Sequence, residues 1–441
     1  MGFLLWAADC AAFFLILYIT LFLRTGGGGY SFFAANVAVF IPVFILATFI
    51  SWIFSFYDAQ ALKKRNPGYK FFIAAFLASA VISSAFIYFA QAKIFELTPK
   101  TILLAVLFFY FVYMYYSRRH YFKLNFAKTT VIIFGKSPTI DEIVKEISRS
   151  NLFTLLGYAE TPCAQRNYDL KNLDGVIFGS KLFLDNRGSW NIIADRFISA
   201  GIRVNSDFNI YETIFSRASR ESIEDSVWLL RGIAGRRENY FYNPLKRFVD
   251  VAVSLALLPF LAAAGVFIYF FVRIADGYNP LFIQKRVGFL EKPITVYKFR
   301  TLPPGGTEAD ITKTGRFLRR FRLDEIPQII NVLKGDISFV GPRPIWANEH
   351  DFLNQHVPNH KIRTIVKPGI TGWAQLNFKA PPTYFHLRGK QPETLEKNAF
   401  CSAFTRFSYD VWYIKNRSVL LDMEILCKTA IRMFIKDKNI A

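Results

Sequence analysis

The chain has 441 residues, with 54 Lys and Arg against 33 Asp and Glu, a net charge of +21, and a composition that is 52% hydrophobic and 17% aromatic. So high an apolar content excludes a disordered chain, and a charged fraction of 20%, below the roughly 25% of soluble domains, argues against a purely soluble enzyme. Apolar and basic together point to an anionic membrane surface or phosphate-bearing ligands; nucleic acid would explain the charge but not the apolar content, and no nucleic-acid partner is expected.

Four apolar runs come first, Phe3–Leu23, Ser31–Phe56, Phe71–Ala90 and Thr101–Tyr116. Their lengths suit helices that span a bilayer, the fourth being slightly short. Asp9 lies inside the first run and suits a place near the interface. Basic residues gather after the second run (Lys63, Lys64, Arg65, Lys70) and after the fourth (Arg118, Arg119, Lys123, Lys128). The positive-inside rule then places both chain ends in the cytoplasm. Residues 1–120 are therefore expected to form a four-helix transmembrane bundle.

Residues 128–242 read as a soluble module. Thr129–Gly135 looks like a buried strand, Leu173–Gly179 and Gly201–Asn205 like further strands, and Pro138–Arg149 and Trp190–Ala200 like helices. Strands alternating with helices predict a parallel sheet, a Rossmann-like cytoplasmic module. The first strand ends in Gly135-Lys136-Ser137, which lacks the glycines of a dinucleotide site. A scaffold or dimerisation role, giving a homodimer, is the simpler expectation.

The third unit is 243–441. It opens with Lys246-Arg247 and a 22-residue apolar run, Val251–Val272, holding Pro259 near its middle. A proline there removes a helix hydrogen bond. Basic residues at both ends favour one face for both, hence a re-entrant helix broken at Pro259; a kinked spanning helix is the alternative.

The chemistry gathers in Gly315–Pro344. Asp324-Glu325 follows Arg316, Arg319, Arg320 and Arg322 and precedes Pro327, which suits a first helical turn. Asp324 could simply cap that helix. Among guanidinium groups, however, a carboxylate stays ionised, able to act as a nucleophile or to hold Mg²⁺ while arginines clamp phosphate. Those arginines could equally face anionic lipid. Lys298-Phe299-Arg300, Gly341-Pro342-Arg343-Pro344 and Lys367–Trp373 look like phosphate-handling turns. Ser418–Phe434 is amphipathic and suits either a membrane interface or the catalytic core. Glu308-Ala309-Asp310 reads as a solvated turn, and Pro358 between His356 and His360 speaks against a helical zinc pair. The four cysteines, Cys10, Cys163, Cys401 and Cys427, form no C-x-x-C motif.

Taken in order, Asp250, Gln284–Gly288, Lys298–Arg300, Leu323–Pro327, Asn331–Asp336, the Gly-Pro-Arg-Pro turn and Pro368–Gly372 resemble the bacterial sugar transferase family, the polyprenyl-phosphate hexose-1-phosphate transferases. The resemblance implies a mainly helical catalytic domain on the cytoplasmic face of the bacterial inner membrane. It implies transfer of a sugar-1-phosphate from a nucleotide diphosphate sugar, UDP-linked by expectation, to undecaprenyl phosphate. That would be the first membrane step of an exopolysaccharide, capsule or O-antigen. Carried over, Asp324 is the nucleophile, forming an aspartyl-phosphosugar with Mg²⁺ close by, and Glu325 assists metal or proton handling. Arg319, Lys298, Arg300 and Arg343 would bind substrate phosphates. The alternative from another class is a membrane-tethered nucleotide-binding regulatory protein, whose ligand would sit on the Rossmann-like module.

Overall fold

Long apolar runs fold as four helices, α1 (Gly2–Thr25), α2 (Gly29–Ile53, with Pro42 inside it), α3 (Tyr69–Ala90) and α4 (Lys100–Asn125). The computed structural model describes residues 2–25, 29–53, 56–57, 69–90, 100–125, 129–149, 153–159, 172–180, 194–234, 239–306, 310–378 and 397–434. The helices share a core that includes Phe13, Leu17, Phe40, Val43, Leu107 and Tyr110. Their outer faces are apolar too, with Leu15, Ile45, Leu77 and Phe108 exposed. A helix that is hydrophobic all round belongs in a core or a membrane. Among the described residues two helices, Leu5–Arg24 and Tyr242–Asp276, are long and apolar enough to cross one, and Asn36–Trp52 and Ala75–Tyr88 are shorter apolar segments. The basic loop Lys63–Arg65 lies outside the described residues.

Asp9 is paired within the protein. It is fully buried and takes both guanidinium nitrogens of Arg118, at 3.1 and 2.5 Å. Tyr57 donates to the same carboxylate at 2.6 Å, and Arg118 Nε donates to the Phe56 carbonyl at 3.0 Å. One ion pair thus ties the start of α1 to the end of α4 and to the turn after α2.

A four-stranded parallel sheet follows, in the order β2-β1-β3-β4, from β1 (Thr129–Phe134), β2 (Phe153–Ala159), β3 (Gly175–Phe178) and β4 (Arg203–Ser206). β1, β3, β4 and α5 (Pro138–Arg149) match the sequence pattern, α5 burying Ile140, Ile143 and Ile147. Residues 194–199 are helical, within the helix expected before β4. β2 has no counterpart in the pattern: it is an edge strand with a register shift between Val131 and Ile132 of its partner. At the C-terminal edge of the sheet, the first turn of α5 receives the chain's own groups. Ser137 Oγ accepts from Ile140 N, and Glu221 accepts from Thr139 N at 3.4 Å.

The boundary drawn near residue 242 cuts through packed structure. α6 (Asp207–Phe215) leads into α7 (Arg220–Glu224) and α8 (Ser226–Ala234). Ala218, Ile223 and Leu229 from this stretch share a core with Ile345, Leu353, Val357, Phe407 and Val411 of the C-terminal part. Lys415 pairs with Glu212 at 2.5 Å, both nearly buried, and Trp373 Nε1 donates to the Ser216 carbonyl at 2.9 Å.

α9 (Asn239–Asp276) runs uninterrupted for 38 residues. Pro259 lies inside it, as does Pro244; the helix carries on past both, so Pro259 can bend this helix but does not end it. Both ends of α9 are fastened to the same body. Arg247 donates to the Val332 and Leu333 carbonyls, and Asp250 accepts from Ser338 Oγ and Phe339 N. Towards the other end, Ile268 and Val272 pack with Phe299 and Leu318, and Asp276 accepts from Thr312. Between these anchors an apolar face is bare: Phe260 and Phe267 are 74% and 72% exposed.

The remaining frame is a β-hairpin, β5 (Leu281–Val287) with β6 (Pro293–Phe299), a parallel pair, β7 (Ser338–Val340) with β8 (Gly369–Thr371), and surrounding helices. The last described helix, Val419–Phe434, buries Leu421 and Ile425 against Val340, Val366 and Trp373. Its apolar face therefore packs on the C-terminal core.

Candidate active site

The acid pair stands at a forced bend. α10 (Lys313–Arg320) ends, Arg322 adopts the left-handed conformation (φ 54°, ψ 24°), and a 3₁₀ turn, Leu323–Gln328, begins with Asp324-Glu325. A left-handed non-glycine residue costs roughly 1–2 kcal/mol. Here that conformation accompanies a folded-back side chain: Arg322 Nη2 reaches Glu325 at 2.8 Å and the Ile370 carbonyl at 3.0 Å.

Glu325 is the electrostatic hub. It is 8% exposed and pairs with Arg322, with Arg343 at 3.1 Å and with Lys298 at 3.3 Å. Burial alone would raise its pKa, but Arg322, Arg343 and Lys298 together hold the carboxyl well below the usual carboxylate range. Asp324, half-buried, makes no hydrogen bond or ion pair among the described residues. Burial first, then the charge of Glu325, push its pKa up, against Lys298, Arg343 and Arg319. The sequence reading gave the guanidinium effect to Asp324; in the structure it falls on Glu325.

Lys298 comes from β6. Burial, then the nearby Arg343, bring its ammonium down to about 8, against the pull of Glu325 and Asp324. Arg343 comes from the turn after β7. That turn packs backbone against backbone on Lys367–Gly372: Gly341 N donates to the Thr371 carbonyl and Gly369 N to the Pro342 carbonyl, both at 2.9 Å. A methyl group on Gly369 would lie 2.1 Å from Gly341 N, which explains glycine in both turns. Arg363, paired with buried Asp410, grips the Arg343 carbonyl.

Of the other candidates, Arg319 donates to Thr301 Oγ1 at 2.8 Å and acts on Asp324 through its charge. Arg300 is engaged away from the acid pair: its Nε donates to the Asn279 carbonyl, and its guanidinium stands over Phe282. The sequence pattern does not separate Arg322 from its three neighbours, gives Arg286 no role beyond its place in the Gln284–Gly288 run, and does not flag Gln328. Both line a cleft with Lys298, Glu325 and Arg343.

Few of these side chains could hold Mg²⁺. Among the described residues no three His, Cys, Asp or Glu side chains converge. Glu325 is taken up by three cations. Asp324 is not, and Mg²⁺ commonly binds through one or two carboxylates, retained water and substrate phosphates. The donor set fits only in that mode.

The sequence pattern of the bacterial sugar transferase family matches residues 241–436. An uncharacterized sugar transferase of Bacillus subtilis (strain 168), EpsL, is 37% identical over 201 residues, 44% of this chain and 89% of that protein. The UDP-glucose:undecaprenyl-phosphate glucose-1-phosphate transferase of Escherichia coli (strain K12) is 36% identical over 201 residues, 43% of this chain but only 40% of its own length. The UDP-N-acetylgalactosamine-undecaprenyl-phosphate N-acetylgalactosaminephosphotransferase of Aeromonas hydrophila is 27% identical over 255 residues, 56% of this chain and 55% of that one.

Proposed function

The chain belongs to the bacterial sugar transferase family, and on that premise we propose that it transfers a sugar-1-phosphate from a UDP-linked sugar to undecaprenyl phosphate at the cytoplasmic face of the bacterial inner membrane. The observation that carries the reading is the division of labour in the acid pair. Glu325 is pinned by Arg322, Arg343 and Lys298, while Asp324, beside a cationic cleft, has no hydrogen-bond or ion-pair partner among the described residues.

In this reading a carboxylate oxygen of Asp324 attacks the β-phosphorus of the donor. A bond forms to that phosphorus, and the bond from it to the bridging oxygen breaks. The nucleoside monophosphate leaves with the electron pair. Undecaprenyl phosphate then attacks the same phosphorus and regenerates the Asp324 carboxylate. Both steps move negative charge between oxygens, so charge neutralisation counts for more than proton transfer. Lys298 and Arg343 supply it from the cleft wall, and Arg319 from beside Asp324. Mg²⁺, when bound, would be held by Asp324 and the diphosphate and would neutralise phosphate charge.

A lipid phosphate lies at the membrane surface, so the site must be held there. The bare apolar face of α9 supports a re-entrant attachment. A 38-residue helix is about 57 Å long, ample to cross roughly 30 Å of hydrocarbon. Both ends contact one body, which supports a placement of the two on the same side. Together with α1–α4 this gives a multi-pass membrane protein whose parallel sheet is a Rossmann-like cytoplasmic module. A cysteine at Gly277 should stay unlabelled by an impermeant reagent outside intact cells; labelling would mean that α9 spans. The reaction is tested by incubating membranes with undecaprenyl phosphate and a panel of nucleotide sugars. Release of UMP dependent on one sugar supports it, and no release from any nucleotide sugar by active, well-folded protein refutes it.

A further inference from the structure

We propose that Gln328 is a substrate ligand, its side-chain amide donating a hydrogen bond to a phosphoryl oxygen bound in the cleft beside Asp324. The inference deepens the transferase reading and rests on it. Gln328 is 3% exposed, and its Nε2 has no acceptor among the described residues. Buried donors are rarely left unpaired in folded proteins, so this one marks a place where a partner enters from outside.

The backbone explains how it gets there. A 3₁₀ helix has three residues per turn, so residues three apart eclipse. Glu325 and Gln328 are three apart in the same 3₁₀ turn and face the same cleft. The charged neighbours of Gln328 in that cleft, Arg286, Lys298 and Arg343, are donors without acceptor atoms. Glu325 could accept, but three cations already hold it. A wall of donors around a buried amide selects a group that only accepts. Phosphoryl oxygens are such a group, whereas a sugar hydroxyl both gives and takes. Two phosphates pass through this site, the donor's diphosphate and the lipid's monophosphate, and the chemistry of the contact is the same for both.

The test uses the full chain in lipid discs with Gln328→Met, similar in length but without a donor, and Gln328→Glu, the same shape with acceptors only. Gln328→Met should lose about 10- to 100-fold in kcat/KM, as expected for a hydrogen bond to a charged group. The melting temperature without ligand should stay level or rise, because an unpaired buried donor is gone, while the stabilisation by inorganic pyrophosphate shrinks. Gln328→Glu should be slower still, with a carboxylate facing phosphate. Release of nucleoside monophosphate without acceptor reads the donor half-reaction alone. A defect there assigns the contact to the diphosphate, and a defect only when undecaprenyl phosphate is added assigns it to the lipid phosphate; either result supports a phosphoryl ligand.

Wild-type-like turnover of Gln328→Met with the pyrophosphate effect intact overturns the inference. So does unfolding of that variant, which would mean the amide was paired within the protein. Full activity of Gln328→Glu overturns it too, since the group would then be accepting. If the wild-type chain itself neither turns over nor is stabilised by pyrophosphate, the transferase reading fails first and the inference falls with it.

Discussion

Replacing Glu325 by Gln keeps its shape and removes its charge, leaving Lys298, Arg322 and Arg343 facing one another. Each pair spans 2.8–3.3 Å. At an effective dielectric of about 20 the gross attraction of one such pair is roughly 5 kcal/mol, most of it offset by desolvation. Breaking a buried ion pair from one side costs about 3–5 kcal/mol. For a body of this size each kcal/mol lowers the melting temperature by about 2–4 °C, so a fall of about 6–20 °C is expected in lipid discs. The sign with pH follows from the depressed carboxyl of Glu325. Its contribution is complete above the unfolded value near 4.3 and is lost as pH falls through the lower folded value. The gap between the two proteins should therefore be constant from pH 6 to 8 and narrow only in strong acid. Pyrophosphate should bind the variant no more weakly, because the cleft is more positive, while kcat falls. A Gln variant that melts with the wild type at pH 7 would refute the hub.

Other outcomes are expected from the same geometry. The alkaline limb of kcat/KM should sit near the Lys298 value of about 8, since the ammonium is lost as pH rises through it, and Lys298→Arg should move that limb up. The acid limb should lie above an ordinary aspartate's, because burial and Glu325 raise the pKa of Asp324; a limb at the ordinary position contradicts that environment. Asp9→Asn or Arg118→Met alone should each destabilise the chain by about 3–5 kcal/mol, and the double variant Asp9→Leu with Arg118→Met should recover much of the loss in a melt; equal and additive losses would show that the pair is not coupled. A fragment beginning at Asn239 should keep transferase activity but lose about 3–6 kcal/mol, because the cover given by Ile223 and Leu229 goes, along with the Glu212 partner of Lys415. A fragment as stable as the full chain would show that this cover contributes nothing.

The sequence made parts of this site legible and hid others, for reasons that differ residue by residue. Asp324, Glu325, Lys298 and Arg343 stand in short motifs whose spacing is set by local turns, and the fold brings all four to one place. Arg300 shares a motif with Lys298, yet a competing carbonyl at Asn279 and the Phe282 ring take its guanidinium. Arg322 looks like its neighbours in a run of arginines; only its left-handed backbone separates it from them. Gln328 carries no charge pattern, and its unpaired amide exists only once the cleft is formed. The buried strands of the sheet are continuous apolar runs and were readable. β2, at the edge, mixes Thr154 and Gly157 with apolar residues and was not. Asp9 and Arg118 are 109 residues apart, and no local pattern couples them. The stretch Ala218–Leu229 belongs by sequence to one module and by packing equally to the next.

The central claim is that Asp324 carries the sugar phosphate. The direct measurement is intact-protein and peptide mass spectrometry after incubation with the accepted nucleotide sugar and no lipid acceptor. The account predicts a mass increase of one phosphosugar on the peptide bearing Asp324, discharged on adding undecaprenyl phosphate and absent from Asp324→Asn, which should also lose turnover. Steady release of nucleoside monophosphate with no adduct on that peptide, alongside an Asp324→Asn variant that still turns over, would contradict it.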